Sequence, residues 1–238
     1  MIKIENLAVQ FGEDVILDGV NLQINQGEIT QILGQSGSGK SVLMKTVEGL
    51  HQPSKGRVEI DGTNIFKLNR KELNNFRTRL AMLFQGAALL DSLNVFQNVA
   101  LPLKEHTSKK DDEILEIVKS NLELVGLTDI LEKMPSELSG GMKKRVALAR
   151  AISLNPEYII YDEPTTGLDP LMADEIAELI LKMHEKKKIT TIVITHDQNC
   201  IEKLKGNIAL IHDKKILFDG SYNEFKNADN KIVRSFLK

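Results

Sequence analysis

The chain has 238 residues, of which 42% are hydrophobic and 27% charged, a balance that suits one soluble domain or one domain carrying an inserted lobe. Its 31 basic and 33 acidic residues leave a net charge of −2, so no overall basic field points to nucleic acid or to an anionic bilayer. A single cysteine, Cys200, excludes an internal disulfide and fits a reducing cytoplasm, and no apolar run approaches the ~18–20 residues of a membrane span.

In chain order, Met1 to Glu5 alternates like a strand and lacks the apolar region of a secretory signal. Leu7–Val9 and Val15–Leu17 continue as short strands, and Val20, Leu22 and Ile24 alternate with polar residues at period two. A turn at Asn25–Gly27 leads into a strand over Glu28–Leu33. Then comes Gly34-Gln35-Ser36-Gly37-Ser38-Gly39-Lys40-Ser41, a full match to the P-loop pattern, followed by a helix from Val42 to Glu48. Arg57–Gly62 reads as a strand, Lys71–Phe76 as a short helix, and Leu80–Phe84 as a buried strand of a parallel sheet ending at Gln85.

Gly86 to Leu103 is mixed and apolar, and Lys104–Lys110 is a polar loop. A helix capped by Asp111 and Asp112 buries Ile114, Val118, Leu122 and Val125 and stops at Gly126. Thr128–Lys133 is expected to form a short helical turn. Ser139 stands where an N-cap would, before a helix over Met142–Ile152. Tyr158–Tyr161 and Thr190–Ile194 are further buried strands, and between them Asp169-Pro170 opens a long helix with an inner stripe of Ile176, Leu179, Ile180 and Met183. Lys186–Lys188 reads as a solvated helix end. Ile208–Ile211 and Ile216–Phe218 flank a hairpin turn, and Ser221-x-x-Glu224 is a capping box. Strands alternating with helices give an α/β class with a largely parallel sheet. The segment 86–152 has no strong strand run and is expected to be a helical lobe inserted between 1–85 and 153–238.

Ligands of open parallel sheets gather at the carboxyl ends of the strands. Four such ends carry polar groups here: the P-loop, Gln85, Asp162-Glu163 and His196. The glycines of Gly34 to Ser41 let successive N–H groups form an anion nest at the N-terminus of the following helix, where Val42 also lies. Lys40 suits the β- and γ-phosphates, and the Ser41 hydroxyl suits Mg²⁺. Asp162 fits a carboxylate holding the same Mg²⁺ opposite Ser41, and Glu163, on the other side of the strand, is placed to polarise an attacking water. His196 is either a satisfied structural histidine or, at a strand end beside the phosphates, a sensor or stabiliser of the γ-phosphate; the other four histidines form no metal-ligand spacing, so zinc is not expected. Gln85 can reach Mg²⁺ or the attacking water. Phe11 either packs in the core or stacks on adenine.

These motifs occur in a specific order along the whole chain. Leu138-Ser139-Gly140-Gly141-Met142, followed by Lys143-Lys144-Arg145, resembles the signature of ABC transporter nucleotide-binding subunits, with Met142 where Gln is usual. Thr165-Thr166-Gly167-Leu168-Asp169 resembles their D-loop, Gln85 their Q-loop and His196 their switch histidine. The resemblance implies an ABC-ATPase fold with an antiparallel N-terminal β subdomain and a helical lobe. It also implies ATP and Mg²⁺ as cofactors. Ser139, Gly140, Gly141 and Asp169 would face nucleotide across a C₂ homodimer interface, since each chain has one P-loop and one signature. The stretch Leu83 to Leu103 and the Met142-Lys143-Lys144-Arg145 run resemble the MCE/Mla-type ATPases of bacterial lipid transport. That finer resemblance implies phospholipid as cargo and a peripheral place on the cytoplasmic face of the inner membrane. It implies an integral-membrane permease of the Mla type docking near Gly86–Leu103, and an MCE-domain lipid-binding partner. ABC subunits for amino acids or lipoproteins are the alternative, and a soluble ABC protein acting on nucleic acid is a more distant one.

Overall fold

The computed structural model describes residues 1–237. Period-two alternation in the first sixty residues builds an antiparallel sheet. Strand β1 (Ile2–Phe11) pairs with β2 (Asp14–Ile24) in a register that sets Ile2 opposite Ile24 and Phe11 opposite Asp14. The chain then enters β3 (Ile29–Gly34), buried along its whole length, and α1 (Lys40–Val47). It returns to β1 through β4 (Lys55–Ile60), with Ile2 opposite Ile60, and adds the short β5 (Thr63–Asn64) at the edge.

After α2 (Arg70–Arg77), β6 (Leu80–Leu83) opens the other half of the second sheet. Three helices come next: α3 (Val95–His106), α4 (Asp111–Leu124) and α5 (Gly140–Ala151). The chain continues through β7 (Tyr158–Asp162), α6 (Pro170–Lys187), β8 (Thr190–Ile194), α7 (Gln198–Leu204), β9 (Asn207–His212), β10 (Lys215–Ser221), α8 (Tyr222–Lys226) and α9 (Lys231–Ser235). The second sheet has the order β10-β9-β3-β8-β7-β6, parallel throughout except for the antiparallel edge strand β10.

The apolar core is laid on both faces of this sheet. One face packs Ile32, Ile160, Ile192 and Ala209 against α1 and the antiparallel sheet. The other packs Tyr161 and Val193 against the inner faces of α3 to α6. Strand register then decides where the polar residues emerge. Leu83 lies opposite Tyr161, Asp162 opposite Ile194, and Ile194 opposite Ile32. The carboxyl ends of four neighbouring strands are therefore level, and the residues after them leave the sheet along one edge.

Three expectations change. Leu80–Phe84 is parallel but only partly buried: β6 is the edge strand, paired only with β7, so Leu80 and Leu83 are buried while Ala81 and Met82 are half-buried and Phe84 is 41% exposed. Thr128–Lys133 forms no helix. Asp129 takes a left-handed φ of 56°, and the carbonyls of Leu131 and Lys133 accept from the N–H groups of Phe96 and Val95, both at 2.9 Å. The segment serves the orphan donors of α3 instead of closing a helical turn of its own. The polar loop is shorter than expected, because α3 runs to His106 despite the internal Pro102. Its start is fixed by a capping box in which Asn94 accepts from the Gln97 N–H at 2.8 Å and Gln97 accepts from Asn94 at 3.0 Å.

Candidate nucleotide site

The P-loop connects the buried strand β3 to α1, and Gly39, at φ 98°, makes the N-cap. Within it the Ser38 N–H donates to the Gln35 carbonyl at 3.1 Å. Lys40 is folded back over the loop, donating from Nζ to the carbonyls of Gly34 (2.8 Å) and Gln35 (2.9 Å). The residue is only 8% exposed, and burial pushes its pKa down, against the opposing pull of Glu163 and Asp162. The Ser38 hydroxyl is buried with no partner among the described residues. Val42 turns its side chain into the core shared by the two sheets. A cavity of about 420 Å³ opens beside Gln35–Ser38, walled by Val15 and Ile16 of β2 and by the turn after β9. Phe11 does not line it. It stands 47% exposed at the end of β1, edge-on to His51 with ring centroids 5.1 Å apart.

At the end of β7, the Asp162 carboxylate takes a hydrogen bond from the Ser41 hydroxyl, and burial raises its pKa above the ordinary range. Glu163 does not continue the strand. It adopts a left-handed φ of 50°, and its N–H donates to the Ile194 carbonyl at 2.9 Å. This kink, rather than strand alternation, sets the direction of its side chain. Glu163 lies 2.8 Å from His196 Nδ1 through one carboxylate oxygen, and the Thr166 hydroxyl donates to it at 3.0 Å. The imidazole is 66% exposed while the Glu163 side chain is 13% exposed, so His196 presents its outer edge to solvent. Gln85 comes after β6 and is exposed. It stands one strand from Asp162, about 5 Å in the pairing direction, and three strands from the P-loop, about 14 Å.

The second glycine cluster sits in the helical segment. Ser139 caps α5, its hydroxyl accepting from the Met142 N–H at 3.3 Å, and Gly140 and Gly141 form the first turn. Gly141 stands against Met172, and a Cβ there would lie 3.2 Å from the Met172 sulfur. Asp169 caps α6, accepting from Leu171 and Met172 at 3.1 Å each. Among the described residues no hydrogen bond joins Ser139, Gly140 or Gly141 to the P-loop of the same chain. The structure therefore brings together the P-loop, Ser41, Asp162, Glu163 and His196, and holds the Ser139 cluster as a separate surface.

Sequence reading missed Lys144, Asn98 and Arg150. Lys144 is 7% exposed and donates to the carbonyls of Pro164 (2.6 Å) and Thr166 (2.7 Å). Fully buried Asn98 holds the loop after Gln85 by accepting from the Leu90 N–H and donating to the Leu90, Leu93 and Asn94 carbonyls. Arg150 donates to the Ala87 carbonyl at 3.1 Å and faces Asn98 Oδ1 at 3.4 Å. One signal was present: Lys144 falls four residues after Gly140 and four before the buried Leu148, on an inward helical stripe.

Among the described residues no cluster of three or more acidic, His or Cys side chains could hold a metal by itself. Mg²⁺ needs no such cluster, because it keeps its waters and takes one or two protein oxygens beside phosphate oxygens. The paired Ser41 hydroxyl and desolvated Asp162 carboxylate fit that demand.

A family model described as ABC transporter matches residues 17–166. The chain belongs to the ABC transporter family. Within it, the chain is the ATPase subunit, with the fold of an ABC ATPase cassette. It is 41% identical to the intermembrane phospholipid transport system ATP-binding protein MlaF of Haemophilus influenzae, over all of this chain and 90% of that protein. It is 40% identical to the "Probable ribonucleotide transport ATP-binding protein mkl" of Mycobacterium leprae, over 99% of this chain and 68% of that one. A dimeric ATP-binding cassette solved in a post-hydrolysis state with ADP and Pi superposes with a TM-score of 0.85 at 32% identity, covering 93% of this chain and 99% of the other.

Proposed function

We propose that this ABC ATPase couples ATP hydrolysis to phospholipid transport across or between bacterial envelope membranes. The single observation that carries the mechanism is the Glu163 carboxylate, held by His196 and Thr166 beside the Ser41–Asp162 pair at the carboxyl edge of the parallel sheet. The cargo assignment is supported by full-length similarity to the Haemophilus influenzae phospholipid transport protein.

In this reading the N–H groups of Gly34 to Val42 cradle the phosphates, Lys40 neutralises the β/γ charge, and Phe11 stacks on the adenine. Ser41 and Asp162 would hold Mg²⁺, and Gln85 would reach it or the attacking water. The metal, when bound, neutralises charge on the phosphate oxygens. Glu163 orients and polarises the water, and His196 fixes the carboxylate while reaching toward the γ-phosphate. Ser139, Gly140, Gly141 and Asp169 act on nucleotide held by a second copy, so the working unit is a C₂ homodimer with two shared sites. ATP favours the closed dimer by binding it better than the open one, and hydrolysis reopens it.

The permease of the Mla type docks along Gly86–Leu103, with an MCE-domain lipid-binding protein further out. The segment 86–152 acts as a helical lobe on a core made of 1–85 and 153–238. Among the described residues no helix is long and apolar enough to cross a membrane. In this reading the permease holds the chain peripherally, on the cytoplasmic face of the inner membrane. A second reading keeps the motor and changes the cargo; it is favoured by 40% identity to a relative named for ribonucleotide transport. Purification from mildly solubilised host membranes, with mass spectrometry of co-purifying proteins and lipids, separates the two. A multi-span permease, an MCE-domain protein and bound phospholipid support the lipid reading. A permease carrying a different substrate-binding protein overturns it.

A further inference from the structure

We propose that Lys144 is a positioning residue for the hydrolytic step, bracing the Glu163 carboxylate against α5; this rests on the proposed role of Glu163 as the base. The connection is continuous in the structure. Lys144 Nζ donates to the carbonyls of Pro164 and Thr166, the Thr166 hydroxyl donates to Glu163 at 3.0 Å, and Glu163 meets His196 at 2.8 Å.

Lys144 is an unusual residue to bury. It is 7% exposed, both hydrogen bonds go to main-chain oxygens, and burial pushes its pKa down against the pull of the Glu163 carboxylate, which makes no direct ion pair with it. Desolvating an ammonium is costly, and two carbonyls recover only part of that cost. A Leu or Met at this place on the helix would fill the same space without the cost. What the ammonium adds is a fixed point for the turn after Glu163, where Glu163 itself is left-handed and its N–H, donating to the Ile194 carbonyl, makes the last bond to β8 before the chain leaves the sheet. The same helix begins one turn earlier at Ser139-Gly140-Gly141, so the brace ties that glycine cluster to the base of its own chain. A small displacement of a general base at a fixed substrate costs rate rather than substrate affinity.

The test measures steady-state ATPase activity and binding of a fluorescent ATP analogue on the full chain, for wild type, Lys144→Met, Lys144→Arg, Thr166→Val, the double variant Lys144→Met/Thr166→Val, and Glu163→Gln. Lys144→Met is expected to lower kcat about tenfold or more while KM and analogue Kd stay within about twofold. Lys144→Arg, whose guanidinium can donate to both carbonyls, restores most of that loss. The double variant is expected to lose no more than the worse single variant, because both act on one carboxylate. Wild-type kcat in Lys144→Met, or losses that multiply in the double variant, overturns the inference. If Lys144→Met does not fold, Thr166→Val carries the test alone: a kcat loss at unchanged Kd supports the brace and no loss refutes it. Glu163→Gln separates the two levels. Retained turnover there sinks the assignment of the base, whereas an inactive Glu163→Gln beside fully active Lys144→Met and Thr166→Val sinks only the positioning role.

Discussion

Glu48 is a buried acid whose removal should stabilise the protein in alkali. It comes directly after α1, is 7% exposed, and has one carboxylate oxygen with no partner. Arg77 is near but spends its donors on the main chain, giving Nε to the Glu48 carbonyl at 3.2 Å and a terminal nitrogen to the Gly49 carbonyl at 3.1 Å. Burial therefore dominates and lifts the Glu48 pKa from 4.5 to about 7, with Arg77 and Lys45 pulling the other way. The folded state holds this proton more tightly than the unfolded chain. Its contribution to stability is whole below pH 4.5 and is lost as the pH rises through about 7. At about 1.4 kcal/mol per tenfold in proton affinity, the loss between pH 5 and pH 8 comes to about 2–3 kcal/mol. Glu48→Gln keeps the shape and removes the charge. Urea unfolding of the nucleotide-free protein at both pH values should show the wild type losing about 2–3 kcal/mol more than the variant over that interval. Equal losses in the two proteins would refute the reasoning.

Two further outcomes are expected from contacts elsewhere. Asn98→Ala strips four hydrogen bonds from the loop after Gln85 and takes their side-chain partner from the Leu90 N–H and the Leu93 carbonyl, so it should cost about 1–3 kcal/mol in urea melts, with faster amide exchange at Leu90. Gly34→Ala would drive a Cβ into Ser38 Oγ and to 2.8 Å from the Ile211 carbonyl, which should abolish binding of a fluorescent ATP analogue.

Much of this was written locally in the chain. The P-loop, the Ser139 and Asp169 caps and the Ser221/Glu224 box are short-range chemistry, and each stands where spacing puts it. The level edge of polar groups was also readable, because each ends an apolar run. The rest depends on partners distant in sequence. That Leu80–Leu83 lies at an edge is a consequence of sheet order, which no local pattern encodes. The 128–133 segment gave up helix to satisfy α3, a demand visible only once the two are adjacent. Lys144 was legible only as part of the Met142-Lys143-Lys144-Arg145 run, and its partners, the carbonyls of Pro164 and Thr166, lie about twenty residues further along the chain.

The central claim is that Glu163 activates water for hydrolysis of ATP shared between two copies. Its most direct test is the Glu163→Gln variant, monitored by phosphate release and by sedimentation with and without Mg-ATP. The expected result is a stable ATP-dependent dimer with phosphate release reduced on the order of a hundredfold or more. Wild-type turnover in that variant, or ATP binding that leaves it monomeric, would contradict the claim.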